Sequence, residues 1–261
     1  MADPETADAL ARYYDLDLAE DPGDVEMYVA FADSTTGPVL ELMAGTGRLS
    51  VPLAAAGHRV VAVDRDPHML ARAATRWASV TDRAPGSRLT LVEADVTRLE
   101  LGKRFGLVFV ALNSLLLLDG RDAQQKAFAT IARHLKRNGR SVVDMWLPAP
   151  EDLAIYDGRM VLDWVRHDED AREWVAKTTC ARYQPASGKA RVTSFFDAWR
   201  DGAAPRRVMR QDTISFISPY ELVAFAEAAG LVVETFAGDY EMGQFAGDSD
   251  RVVMVCRPGS D

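Results

Sequence analysis

The stretch Val39-Leu40-Glu41-Leu42-Met43-Ala44-Gly45-Thr46-Gly47 decides the fold class of this chain. Its first five residues are apolar except for one glutamate, and they predict a short buried strand. The glycines that follow predict a tight turn, and residues 48–57 predict a helix that ends at Gly57. Glycine has no Cβ and tolerates positive φ, so the backbone of such a turn can approach a ligand closely.

Strands and helices alternate along the residues that follow this stretch. Buried strands are predicted at 59–64, 89–94, 107–112 and 141–146, with helices at 66–79 and 121–137. The second of these helices is expected to stop at Asn138-Gly139. A further helix at 219–229 precedes two final strands at 231–237 and 251–257. Continuous apolar strands separated by helices indicate an α/β fold, with a doubly wound, seven-stranded, mostly parallel sheet of the Rossmann-like type.

The period of the pattern changes between residues 151 and 217. Apolar and polar residues alternate there with a period near two, in four segments at 160–166, 173–183, 191–200 and 208–217. We therefore expect an antiparallel β insertion after the fifth strand. The predicted organisation is an N-terminal helical segment at 1–37, an α/β domain at 38–150 and 218–261, and the insertion at 151–217.

Charge and composition argue against several classes of protein. The net charge is -9 and the pI about 5.0, whereas a nucleic-acid-binding protein usually carries a basic patch. The richest basic stretch, residues 206–210, is short and is offset by Asp212. Cys180 and Cys256 lie far apart without a histidine cluster, which argues against a zinc site or any other metal centre.

The sequence also shows no sign of a membrane or secretory protein. No apolar run reaches the ~18 residues of a membrane-spanning helix. The start MADPETADAL lacks the basic and apolar regions of a signal peptide. We therefore expect a cytoplasmic enzyme of bacterial type, without nucleic-acid or membrane partners.

An acidic residue ends the second predicted strand. Asp64 follows Gly47 by seventeen residues, and a carboxylate at this place can accept hydrogen bonds from both hydroxyls of a ribose. Gly45-x-Gly47-x-x-Ser50 also approximates the dinucleotide fingerprint, with serine at the third glycine position. The pattern thus indicates nucleoside binding without saying which nucleoside. The structural alternative for Asp64 is a helix cap beside Asp66.

A second acid separates these possibilities. Ala94-Asp95-Val96 closes the third strand, and the order Val-Leu-Glu-Leu-x-Ala-Gly-Thr-Gly, Val-Asp, Ala-Asp-Val resembles class I S-adenosylmethionine-dependent methyltransferases. The resemblance implies S-adenosyl-L-methionine as the cofactor. The methionine part of the cofactor would face Glu41, Ala44, Gly45 and Gly47. Its ribose would be bound by Asp64, and its adenine by Asp95 and Val96. The predicted cofactor contacts are completed by Tyr14, Arg65, Met69 and Asn113.

The chain departs from the family at one position of the turn. It has Met43 where the family usually has glycine. A bulkier residue at this position is expected to tighten the loop.

Later segments resemble a subgroup that acts on small molecules, such as the N-methyltransferases of amino sugars and antibiotic precursors. The likeness lies in Val143–Pro148, in the four-stranded insertion and in Phe216–Leu222. It implies a small-molecule acceptor that is methylated at nitrogen or oxygen by in-line displacement. The N-terminal segment would be a lid, and the insertion an acceptor cap or a homodimer contact.

Few residues are candidates for acceptor binding and catalysis. Trp146 follows the fifth strand, at the edge where ligands of open α/β sheets bind. Trp199 on the insertion is a second acceptor candidate, with the sheet core as the alternative. Proton removal could be assisted, in falling order, by Tyr14, Asn113 and His167. His134 ends a helix and is expected at the surface.

Two other functions remain open at this stage. A nicotinamide-dependent oxidoreductase would use the Gly45-x-Gly47-x-x-Ser50 pattern and Asp64, but the expected region lacks a YxxxK pair. A non-catalytic, S-adenosylmethionine-binding regulatory protein would keep the cofactor residues without turnover, since fold alone does not give function.

Overall fold

The structure is a computed structural model that describes residues 3–20, 22–81 and 88–259. It consists of two compact units. The insertion unit comprises the described residues of Met1–Asp21 and Pro148–Phe216, and the α/β unit comprises those of Pro22–Leu147 and Ile217–Asp261. The N-terminal segment predicted at 1–37 is therefore divided between the two units.

The described residues form seven α-helices and eleven strands. The helices are α1 (Pro4–Asp17), α2 (Val25–Ser34), α3 (Ser50–Ala55), α4 (Pro67–Thr81), α5 (Gly120–His134), α6 (Pro150–Ala154) and α7 (Pro219–Ala228). The strands are β1 (Val39–Leu42), β2 (Val60–Asp64), β3 (Leu89–Glu93), β4 (Phe105–Val110), β5 (Leu135–Trp146), β6 (Asp157–Asp168), β7 (Glu173–Gln184), β8 (Lys189–Trp199), β9 (Arg206–Ser215), β10 (Leu231–Ala237) and β11 (Arg251–Pro258). Short 3₁₀ turns lie at Val96–Arg98 and Ser114–Leu117.

The α/β unit contains one seven-stranded sheet with the order β10-β11-β5-β4-β1-β2-β3. Strands β1 to β5 run parallel, whereas β11 pairs antiparallel with β5 and with β10. Every residue of β1 and β4 is buried, which explains their nearly continuous apolar sequence. The predicted doubly wound, mostly parallel sheet is confirmed. The strand order reverses between β1 and β4, and ligands of such sheets bind beyond the carboxyl ends at this switch point.

The insertion unit contains the predicted antiparallel sheet, with the order β6-β7-β8-β9. Helix α1 packs on one face of it. Tyr13 of α1 is fully buried and stacks on Phe196 at 5.0 Å between ring centroids, beside Val175 and Val208. These contacts explain the presence of Tyr13 in α1 and make Phe196 a core residue.

The predicted end of the fifth helix is wrong. Helix α5 ends at His134 instead of residue 137, and β5 starts at Leu135 instead of residue 141. Asn138-Gly139 therefore lies within a strand, where the pairing register with β4 shifts. A Cβ on Gly139 would lie 2.8 Å from the carbonyl oxygen of Gly106, so this glycine allows a close approach of two backbones instead of capping a helix.

His134 is buried, contrary to the surface position expected for it. Its Nδ1 donates to the Thr130 carbonyl at 2.8 Å, and its Nε2 accepts from the backbone N–H of Leu101 at 3.0 Å. Burial lowers the pKa of His134 below its usual value. The ring therefore links α5 to the chain that leads into β4.

Across the described ranges, no helix is long and apolar enough to span a membrane. Within the same ranges, no group of three or more histidine, cysteine, aspartate or glutamate side chains is arranged to hold a metal ion.

Candidate active site

The turn after β1 combines three residues with positive φ. Gly45 and Gly47 have φ of 55° and 75°, and Met43 has φ of 59°. Gly47 also lies so close to α4 that an added Cβ would be 3.0 Å from the Cβ of Ala73. Met43 thus adopts a left-handed conformation, which glycine would adopt without steric cost.

Asp64 lies at the carboxyl end of β2, beside this turn. Its Oδ2 accepts from the backbone N–H of Gly45 at 2.8 Å, and its Oδ1 accepts from that of Asp66 at 2.9 Å. Burial raises the pKa of Asp64, and these hydrogen bonds oppose the rise. Asp66, rather than Asp64, caps α4 by accepting from the N–H of His68 at 2.9 Å. A carboxylate has about four acceptor sites, so Asp64 can also accept from a ligand hydroxyl.

Asp95 lies at the neighbouring strand end. Asp64 pairs with Glu93 in the sheet, so the two acids belong to adjacent strands. The Oδ1 of Asp95 accepts from the N–H and the hydroxyl of Thr97 at 2.8 and 2.7 Å, which lowers the pKa of Asp95. An exposed, ionised carboxylate of this kind is an acceptor for an N–H donor such as an amino group.

The other predicted cofactor residues of the α/β unit differ in exposure. Arg65 is exposed, Met69 is half-buried in the first turn of α4, and Ala44 and Val96 are buried. Glu41 is also buried and accepts a hydrogen bond from the hydroxyl of Ser50. Burial raises the pKa of Glu41 to about 8. Glu41, two positions before Met43, is therefore mainly protonated at neutral pH.

A buried ion pair below the turn was missed by the sequence analysis. Arg48 donates two hydrogen bonds to the fully buried Asp24, which precedes α2, at 2.5 and 2.6 Å. The side chains are 24 positions apart, and no local pattern marks them as partners. This ion pair anchors Arg48, the residue after Gly47, to Asp24, the residue before α2.

A second cluster that the sequence analysis missed surrounds Asp144, near the end of β5. The fully buried Asp144 carboxylate accepts from the Tyr28 hydroxyl (2.7 Å), the Leu112 N–H (3.0 Å), the Arg251 Nη1 (2.8 Å) and the Tyr240 hydroxyl (3.2 Å). We call these five residues the Asp144 cluster. Burial raises the pKa of Asp144. An aspartate inside the apolar run Val142-Val143-Asp144-Met145 is the one sequence signal that points to it.

Asn113 and Trp146 are brought together at the same edge. Leu112 and Asn113 both have positive φ, 50° and 65°, two and three residues after the end of β4. The Oδ1 of Asn113 accepts from the backbone N–H of Trp146 at 2.5 Å. Together with the hydrogen bond from the Leu112 N–H to Asp144, this contact joins the carboxyl ends of β4 and β5.

The remaining candidates lie in the insertion unit. Tyr14 is half-buried on α1. The Nδ1 of His167 lies 3.0 Å from Oε1 of Glu169, and its ring meets Trp174 edge-on at 5.2 Å. Trp199 lines a cavity of about 500 Å³ together with Asp197, Ala203, Pro205 and Arg207.

The residues at the ends of β1, β2 and β3 fit an adenosine-containing cofactor. Asp64 can accept from ribose hydroxyls, and the ionised Asp95 can accept from an adenine amino group. The small residues of the turn let the backbone approach a ligand. The groups come from three adjacent parallel strands, which is the arrangement the sequence predicts.

Comparison with known proteins agrees with this geometry. Residues 39–139 match the family model described as a methyltransferase domain. The ribosomal RNA small subunit methyltransferase A of Anaeromyxobacter dehalogenans is 49% identical over 72 residues, which are 26% of this chain and 22% of that protein. The cypemycin N-terminal methyltransferase of a Streptomyces species is 32% identical over 169 residues, 62% of this chain and 64% of that protein. The matches thus span less than two thirds of the length of either curated relative.

Two solved structures match over most of their length. The CcbJ methyltransferase of Streptomyces caelestis has a TM-score of 0.76 at 25% identity, covering 92% of this chain and 98% of that one. CalS10 of Micromonospora echinaspora, an amino pentose methyltransferase solved with S-adenosylmethionine bound, has a TM-score of 0.66 at 22% identity, covering 90% and 89%. The predicted resemblance is therefore confirmed for the domain and the fold: residues 39–139 match a methyltransferase domain, and the chain has the fold of the S-adenosylmethionine-dependent methyltransferases.

Proposed function

We propose that this chain transfers a methyl group from S-adenosyl-L-methionine to an amine nitrogen of a small molecule. The observation that carries the proposal is that Asp64 and Asp95 lie at the ends of two adjacent strands, beside the turn of Gly45 and Gly47. Two names support nitrogen as the acceptor atom, since one relative methylates an N-terminus and one structural neighbour an amino pentose. The net charge of -9 favours a small molecule over RNA, although one relative is named for ribosomal RNA.

The residues of the chain would bind the cofactor, orient the acceptor amine and exclude water. Asp64 and Asp95 would hold the ribose and the adenine, and the glycine turn would lie against the methionine part. When bound, the cofactor supplies a sulfonium-linked methyl group: the amine lone pair forms the new N–C bond while the C–S bond breaks and its electrons stay on sulfur. The protein must hold a neutral amine in line and exclude water from the site. The product leaves as an ammonium ion and gives its surplus proton to the solvent outside the site.

Two measurements test the proposal. In the first, thermal unfolding is followed in the presence of S-adenosylmethionine, its demethylated product or NAD(H). A ligand at a hundred times its dissociation constant adds about 2.7 kcal/mol to the free energy of unfolding, which raises the melting temperature by roughly 5–10 °C for a protein of this size. Mass spectrometry then follows methyl transfer to amino sugars and to short peptides with free N-termini, with the matching hydroxyl compounds as controls. Stabilisation by NAD(H) alone would overturn the cofactor, and methylation of the hydroxyl compounds would overturn nitrogen as the acceptor.

The proposed lid role of the N-terminal segment depends on Tyr14. Its neighbour Tyr13 is a matched control, because Tyr13 is buried against the sheet and donates to Glu173 at 3.4 Å. We expect Tyr14→Phe to weaken S-adenosylmethionine binding in calorimetry and Tyr13→Phe to lower only the melting temperature. Equal affinities of wild type and Tyr14→Phe would dismiss the lid role. His167 as a proton-removing group and the cytoplasmic location stay predictions.

A homodimer through the insertion unit is proposed from the sheet face that α1 does not cover. The pairing registers align Leu162, Thr178, Phe195 and Met209 in one row across four strands. Leu162 is 61% exposed and Met209 53%, and exposed apolar surface of this kind favours association. Leu162→Glu should convert a dimer to a monomer in light scattering. Val161→Glu, at an exposed position on the opposite side of β6, is the control, and a monomeric wild type would refute the dimer.

A further inference from the structure

Two tyrosines of the Asp144 cluster make the same bond but differ in what else they can reach. Tyr28 is fully buried, and its ring packs on Phe109 at 4.4 Å, so its hydroxyl can contact only the protein interior. Tyr240 lies in the loop between β10 and β11 and is only partly buried. Both hydroxyls donate to the carboxylate of Asp144.

The loop that carries Tyr240 is held in place by short contacts. The N–H of Gly238 donates to the Gly243 carbonyl at 3.0 Å, and the N–H of Gly243 donates to Asp239 Oδ1 at 2.7 Å. The guanidinium of Arg251 lies over the Tyr240 ring at 4.5 Å. The side chain is thus oriented before any ligand binds, which lowers the entropic cost of binding one.

Tyr240 lies at the edge of the sheet that the proposed reaction uses. Its loop precedes Arg251, which pairs with Trp146 at the carboxyl end of β5. Tyr240 and Leu112 pack against the same hydrophobic cluster as Ala44 of the turn after β1. The hydroxyl therefore belongs to the region where β1, β4 and β5 end.

The chemistry of this hydroxyl suits an amine. Burial raises the pKa of Tyr240 well above its usual value, so the phenol keeps its proton and donates a hydrogen bond to Asp144. Its oxygen lone pairs then remain for a donor from outside the cluster. A partly positive N–H donor would gain most, because the Asp144 carboxylate lies directly behind the hydroxyl.

Resting on the proposed function, we propose that Tyr240 binds the acceptor: its hydroxyl oxygen accepts an N–H hydrogen bond from the amine that receives the methyl group, and Asp144 holds the hydroxyl in that orientation. The amine is thereby aligned through its hydrogen, with its lone pair free for the methyl carbon. The same bond strengthens as positive charge develops on nitrogen.

The test compares Tyr240→Phe with Tyr28→Phe, which removes the same bond to Asp144 from a position that no acceptor can reach. With the best amine found by mass spectrometry, kcat/KM should fall about tenfold or more in Tyr240→Phe and stay within about threefold of wild type in Tyr28→Phe. The Kd for S-adenosylmethionine, measured by calorimetry, should be unchanged in Tyr240→Phe. Thermal unfolding of both variants confirms that they are folded.

Three results would overturn the inference. In the first, Tyr240→Phe keeps the wild-type kcat/KM. In the second, Tyr28→Phe loses as much kcat/KM as Tyr240→Phe, which would show that the loss reflects only the stability of the Asp144 cluster. A wild type that binds S-adenosylmethionine but methylates no amine would refute the proposed function, and this role with it. A loss confined to Tyr240→Phe, beside an active wild type, supports both.

Discussion

The carboxylate of Asp64 accepts a hydrogen bond from the backbone N–H of Gly45 at 2.8 Å, and this bond ties the end of β2 to the turn after β1. Asp64, which is predicted to bind the ribose, thus also stabilises the turn. A carboxylate fixed by backbone donors pays little orientational entropy when a ligand binds.

Asp64→Ala should therefore lower the affinity for S-adenosylmethionine at least tenfold. Hydrogen bonds to a charged group contribute about 1.5–3 kcal/mol each, and about 1.4 kcal/mol corresponds to a factor of ten. The matched control is Asp66→Ala, which removes the same charge two residues away and costs about 1 kcal/mol of stability by uncapping α4. Calorimetric titration measures both affinities. Unchanged affinity in Asp64→Ala would contradict its assignment to the cofactor.

Gly47→Ala should destabilise the α/β unit by about 2–4 kcal/mol. The substitution forces a φ of 75° on an L-residue and places its Cβ 3.0 Å from that of Ala73. Gly102→Ala, with a φ of 62° and nothing within 4 Å of the added Cβ, carries the backbone cost alone. Urea unfolding of the two variants separates the two costs, and equal losses would mean that the contact with Ala73 does not matter.

Met43→Gly should raise the free energy of unfolding by about 0.5–1 kcal/mol. An L-residue at a φ of 59° costs roughly 1–2 kcal/mol relative to a relaxed conformation, and the greater chain entropy of glycine offsets part of the gain. Met43→Ala removes the side chain but keeps the strain, so it should not be stabilised. If the two variants have equal stability in thermal unfolding, strain at this position is negligible.

Glu41 should make stability decrease as pH rises. Its folded-state pKa of about 8 exceeds the ordinary value of 4.5, so the native protein binds more protons than the unfolded chain between these values. Its contribution is complete below pH 4.5 and is lost progressively up to about pH 8. Glu41→Gln does not titrate, so its stability relative to wild type should increase over this range. Urea unfolding at about pH 5, 6.5 and 8 measures the difference, and parallel curves for the two proteins would contradict the raised pKa.

Local sequence was sufficient for most elements of the fold. Apolar runs marked β1 and β4, and the period near two marked β6 to β9, because side-chain burial repeats with the geometry of the backbone itself. Gly45, Gly47 and Asp64 were singled out on similar grounds, since a turn or a strand end is defined by a few adjacent residues, whereas the role of Asp95 came from the family resemblance.

The boundary between α5 and β5 was not predictable in this way. Asn138-Gly139 has the composition of a helix stop, yet Gly139 serves a close contact with Gly106 across the sheet. Similarly, the burial of His134 depends on Leu101, 33 residues away. Propensity is a weak signal where contacts with distant residues decide the conformation.

The amino-acid sequence by itself determined the α/β fold, the antiparallel insertion and the positions of Asp64 and Asp95 at strand ends, because those follow from short patterns. Only the tertiary structure decided that Tyr28, Tyr240 and Arg251 meet at Asp144, from 116, 96 and 107 residues away. It also decided that Leu112 and Met43 take left-handed conformations without being glycine. The physical reason is that these hydrogen bonds and strained angles depend on the order of the strands in the sheet, which brings together residues that no local pattern connects.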